Sequence, residues 1–182
     1  MQYRNGLQLD LVMMPATQRP GLPPGAMALY DPDGQLAAPW EPAVFHSTRQ
    51  DVEEWTFLGW IALADIVKYL ERGAYWRALE QLHTARGYAW RLWAVARGAN
   101  YPAFGLTSLL NMPEPALPGD AVSTVPVSLE RRALHKAALA CADLLEQGSL
   151  GAAQTAGADL PKPIAAYVRR RLRGLHGGET TI

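Results

Sequence analysis

Cysteine is almost missing from this chain: Cys141 is the single one in 182 residues. One thiol cannot close an internal disulfide, and a chain of this length buries enough surface to need no staple. Excess charge is missing too, since 17 basic and 17 acidic side chains cancel. That balance argues against a protein that grips nucleic acid through counterion release, and against an acidic solvating tail. No apolar run reaches the ~20 residues that cross a bilayer. The longest, Trp55 to Val67, carries Asp65 within it. No secretory leader is read at the start, so a soluble protein in a reducing, cytoplasmic setting is expected, with no membrane partner. The sequence also lacks a phosphate-cradling glycine loop, a Cys/His cluster at zinc spacing and a serine nucleophile elbow.

What is present falls into two parts. The first fifty residues are rich in proline and glycine and read as strands and loops. From Leu7 to Val12 the pattern alternates, with Leu7, Leu9 and Leu11 on one face and Gln8, Asp10 and Val12 on the other. Ala26 to Tyr30 is a second short apolar run. It leads into Asp31-Pro32-Asp33-Gly34, which has the residue chemistry of a type I turn.

The remainder carries helical periodicity. Val52, Trp55, Leu58, Ala62, Ile66 and Tyr69 recur every three or four residues over 51–71, and Gly73 suits a left-handed cap. A second helix starts near Tyr75 and ends at Gly98 and Pro102, and so short a connection implies an antiparallel pair. After a proline-rich loop, Ser128 is the expected N-cap of a third helix stopped by Gly148. Pro161 and Pro163 open a last one. The tryptophans between Trp55 and Trp93 read as core residues. The expected fold class is α+β: a short antiparallel or mixed β segment, residues 1–48, followed by an α-helical bundle, residues 49–182.

Several side chains are candidates for chemistry. Asp10 stands mid-strand opposite three leucines, where a carboxylate on the open face could hold a divalent cation or accept a proton. The plainer alternative is a solvated residue on a half-exposed strand. Asp31 and Asp33 are explained by their turn. Asp65, Lys68 and Arg72 share one helix face at spacings of three and four. A lysine and an arginine so placed can grip phosphate oxygens with Asp65 orienting them, or form a solvated stripe of ion pairs. Arg77 and His83 match the spacing of the arginine-histidine pair of helical RNA-cleaving HEPN domains, with Ala78 where those domains place a polar group. Arg169, Arg170, Arg171 and Arg173 favour the dipole at the end of the last helix.

Three stretches together resemble the later part of DNA polymerase β-type nucleotidyltransferases, in the aminoglycoside adenylyltransferase-like branch. They are Leu7-Gln8-Leu9-Asp10-Leu11-Val12, the hairpin Leu29 to Gly34, and above all Ala64 to Gly73, continuing through Trp76, Ala78, Leu79, Leu82 and Arg86 to Phe104-Gly105-Leu106. The resemblance implies a mixed sheet whose acidic residues bind magnesium, and a helical domain closing over nucleotide and acceptor. It implies AMP transfer from ATP to a small hydroxylated acceptor. Asp10 then matches the third acid, as catalytic base and Mg2+ ligand, while Lys68 and Arg72 face the nucleotide phosphates. Glu53, Glu54 and Asp65 are candidates for holding the acceptor, or simply favour the start of their helix. In the family a Gly-Ser motif followed by an Asp-x-Asp pair precedes the third acid, and the nine residues before Asp10 carry neither, so the chain is expected to begin inside the catalytic domain, as a truncated product or a degenerate relative. Two other readings stand beside this one. The first is a non-enzymatic helical module that pairs with another protein, or with itself, through an exposed sheet edge. The second is a HEPN-like ribonuclease.

Overall fold

Thr48 and Asp51 fix where the first helix begins. In the computed structural model the Thr48 hydroxyl accepts the Asp51 N–H at 3.1 Å, and the Asp51 carboxylate accepts the Thr48 N–H at 2.7 Å. This reciprocal capping box satisfies two donors that a helix start otherwise leaves unpaired. It opens α1, Arg49–Glu71. The structure describes residues 6, 9, 11, 13, 15, 21–23, 25–39, 44–114 and 117–175.

Gly73 closes α1 at φ +66°, with its N–H on the Leu70 carbonyl and that of Ala74 on Tyr69. A side chain with a Cβ is strained in that conformation, which is why glycine stands there. The turn delivers the chain directly into α2, Tyr75–Ala96, so α1 and α2 pack side by side. A short α3, Leu106–Leu110, follows within the expected loop. Then come α4, Arg131–Ala156, and α5, Lys162–Gly174. Helix α4 packs along both α1 and α2, and α5 lies on α1 and α4.

The core lies among these helices. Leu63, Ile66 and Leu70 meet Leu82, Ala85 and Leu92 of α2, Leu134, Ala138, Cys141 and Leu145 of α4, and Val168 and Leu172 of α5. Each such leucine contributes roughly 1.5–3 kcal/mol on burial. Trp60 and Trp90 are buried as expected, whereas Trp76 stands 75% exposed.

Two expectations about helix ends are corrected. Helix α4 starts after Glu130 rather than at a Ser128 cap, and it runs through Gly148 to Gly157. Gly148 is retained for packing instead of termination. A Cβ there would lie 2.7 Å from Cδ1 of Trp93, and one on Gly151 would lie 2.7 Å from Cβ of Ala96. The missing side chains let α2 and α4 approach closely.

The larger correction is to the fold class. Residues 1–44 and 45–182 form two separate compact units. The described residues contain five α-helices and no strand, so the chain is helical and not α+β. In the first unit, Leu9, Leu11 and the residues from Ala26 to Tyr30 are not in β-strand conformation. Leu11, Leu29 and Tyr30 are all largely exposed, so these side chains gain no burial to offset the entropy of ordering a strand. The turn at Asp31 does form. Its carboxylate accepts the N–H groups of Gln35 and Leu36 at 3.0 and 2.9 Å, and it leads into a 3-10 turn, Gln35–Ala37. With no sheet among the described residues, the exposed edge expected to recruit a partner has no structural basis there.

Candidate functional site

The periodicity of α1 turns Ile66, Val67 and Leu70 inward and leaves Asp65, Lys68 and Glu71 along the rim. On α5, Val168 and Leu172 are buried, which sets Tyr167 and Arg171, one turn apart, at the edge facing α1. Between the two rims is a cleft of about 330 Å³. It is lined by Asp65, Lys68 and Glu71 from one helix and Tyr167 and Arg171 from the other, with Ala64, Val67 and Val168 beneath.

Charges alternate around this cleft. The Lys68 ammonium donates to Asp65 Oδ1 at 2.5 Å and lies 4.6 Å from the centroid of the Tyr69 ring. Arg171 donates from Nη2 to Glu71 at 2.7 Å and from Nη1 to the Tyr167 hydroxyl at 3.2 Å. The Asp65 carboxylate, through its hydrogen bond, pushes the Lys68 ammonium above its ordinary value. Glu71 does the same to Arg171, helped by Tyr167. Both groups therefore stay cationic across the physiological range. All four charged side chains are partly open to water, which screens the pairs, so they add little to stability. What they fix is position.

The structure brings together some of the residues singled out from sequence and separates others. Lys68 and Asp65 share the cleft. Arg72 caps α1, is exposed, and is not among the residues lining the cleft. Arg171, which sequence alone assigned to a helix dipole, stands there instead. Glu53 belongs to the other end of α1, twelve residues or about 18 Å from Asp65. Its carboxylate accepts from Arg49 at 2.7 Å and from the Asp159 N–H at 3.1 Å, which holds it below the usual carboxylate range and ties α1 to the turn before α5. Glu54 is exposed beside it. The three acids expected to hold an acceptor thus do not form one site. Asp10 lies outside the described residues. The signal for Arg171 and Tyr167 was their i, i+4 spacing on α5, but nothing local says which helix that face meets.

The Arg77–His83 pair is not assembled either. Six residues apart on α2, the two point about 120° away from each other. Arg77 lies over the Tyr69 ring at 5.8 Å, and His83 Nδ1 is 2.6 Å from Nη2 of Arg86. A resident magnesium does not fit the α1–α5 cleft. Its two carboxylates are each engaged by a cation, and among the described residues no three His, Cys, Asp or Glu side chains converge to hold a metal. Nor is any described helix long and apolar enough to cross a membrane.

No family model, curated protein or solved structure matches the chain.

Proposed function

We propose that the helical unit binds the phosphate groups of a nucleotide, ATP in the first instance, in the cleft between α1 and α5, as a relative of the nucleotidyltransferases. One observation carries this reading: Lys68 and Arg171, from helices far apart in sequence, line one cleft together with Tyr167. Lys68 offers a compact ammonium and Arg171 a planar fork of donors, the two groups best suited to phosphate oxygens. Tyr167, 45% exposed, offers a ring face to a base. Asp65 and Glu71 hold the two cations in place until a polyanion takes over as acceptor. Nucleotidyl transfer to a hydroxylated acceptor is the activity that the sequence resemblance suggests for this lineage.

Calorimetric titration of the intact chain with ATP tests the binding step. Binding should weaken about tenfold in Lys68→Ala and in Arg171→Ala, equivalent to ~1.4 kcal/mol each. Arg72→Ala should leave it unchanged. Wild-type affinity in both cleft variants, or no binding by the wild type, refutes the reading.

A second reading, a protein-interaction module, has its own observation. Val122, Val125 and Val127 are 75%, 54% and 96% exposed in the connection before α4, where apolar side chains gain nothing in the isolated chain. Light scattering at rising concentration, with Val127→Glu as the comparison, tests self-association. A monomeric mass throughout removes it.

A further inference from the structure

We infer that the pocket at the far end of α2 is a binding site for an uncharged, polyhydroxylated ligand of the saccharide class. It is independent of the nucleotide reading, since no residue lines both this pocket and the Lys68 cleft.

The chain leaves α2 at Gly98 and reverses through Asn100 and Tyr101 into a 3-10 turn, Pro102–Phe104, and α3. Tyr101 sits at φ 54°, ψ 56°, the one non-glycine residue with positive φ among the described residues. That conformation costs on the order of 1–3 kcal/mol, and the following proline restricts it further. Ser108 Oγ and the Phe104 N–H both donate to the Tyr101 carbonyl and hold the strained turn. Glycine would make the same turn without strain, but it would bring no ring. The ring of Tyr101 lies 4.9 Å from that of Phe45 and 6.0 Å from that of Phe104, which is 68% exposed.

Beside these rings lies a pocket of about 540 Å³ lined by residues 98–101, 104, 107, 108 and 111–113. None of the lining side chains is acidic or basic. Asn100, Thr107 and Asn111 are exposed there, and their side chains make no hydrogen bond among the described residues. Each amide pairs a donor with an acceptor, the complement of neighbouring sugar hydroxyls. The open face of Phe104 suits the C–H face of a pyranose. Among the described lining residues a phosphate or carboxylate finds no cation, and an ammonium no anion, so a charged ligand would lose hydration there without compensation.

Saturation-transfer NMR on the intact chain tests this with maltotriose and N-acetylchitotriose at millimolar concentration. Glucose 6-phosphate and glucosamine serve as charged comparators. Transfer to ring protons of at least one neutral saccharide is expected. Phe104→Ala and Asn111→Ala, both at exposed positions, should each weaken that binding at least tenfold while leaving thermal unfolding close to wild type. No transfer with either neutral saccharide, transfer in both variants undiminished from wild type, or stronger binding of a charged comparator overturns the assignment.

Discussion

Trp93 of α2 donates its indole N–H to the backbone carbonyl of Leu144 on α4, at 2.9 Å. A tryptophan can reach a helix backbone this way only where the neighbouring turn is bare, and Gly148 supplies that gap. The contact joins α2 to α4 and explains why a glycine stands in mid-helix.

Replacing that glycine should therefore be costly. Gly148→Ala gains up to about 1 kcal/mol of helix propensity, yet it drives a Cβ to 2.7 Å from the indole, and overpacking of this kind costs about 1–3 kcal/mol. We expect a lower urea midpoint. Gly87→Ala, on α2 with no atom within 4 Å of its would-be Cβ, should shift the midpoint the other way. Equal effects from the two would contradict the packing account.

Cys141 should be inert in the folded protein. It is fully buried, and burial pushes its thiol up to about 12. The thiolate is the reactive form, so alkylation by N-ethylmaleimide should wait for unfolding and accelerate with urea. Rapid labelling without denaturant would show that this part of the core opens readily.

His83 predicts a pH dependence. Arginine can only donate, so the imidazole Nδ1 facing Arg86 must be the accepting, unprotonated nitrogen. Burial first, and the Arg86 charge second, hold this histidine below its ordinary 6.5. The unfolded chain then binds a proton that the folded chain resists. Stability should be full above pH 6.5 and decline as pH falls below it. His83→Gln should flatten that part of a stability–pH curve, and an unchanged slope would assign it elsewhere.

Arg169 should matter more than the other arginines of α5. Its guanidinium donates to Asp143 at 2.8 Å, to Glu146 and to the Ala142 carbonyl at 3.2 Å, and it lies 5.6 Å from the Trp60 ring. With the side chain only 18% exposed, Arg169→Ala should cost about 1.5–3 kcal/mol by loss of charge-assisted bonds and packing. Arg170→Ala should have little effect on chemical denaturation.

Asp65→Asn should tighten ATP binding severalfold, if the cleft receives phosphate. The variant removes a negative charge that competes for Lys68 while keeping a side chain of the same shape. Weaker binding would mean that Asp65 is needed to orient the lysine.

Local chemistry, written within a turn or two of helix, was readable directly. The i, i+3, i+4 spacing gave α1 and α2 and their antiparallel pairing, and it put Asp65 and Lys68 on one face. Gly73 and the Asp31 turn were equally legible, since each is decided by the conformations its own residues allow. Neither apolar run in the first unit yields a strand among the described residues, because a strand is stable only when something else covers it. What required the tertiary structure was every contact between distant segments. It put Arg171 rather than Arg72 beside Lys68, drew Glu53 into a brace with Arg49 and Asp159, and kept Gly148 inside a helix. The reason is one of range. Backbone periodicity and caps are set by near neighbours, whereas close approach and charge partners depend on which remote surface arrives opposite.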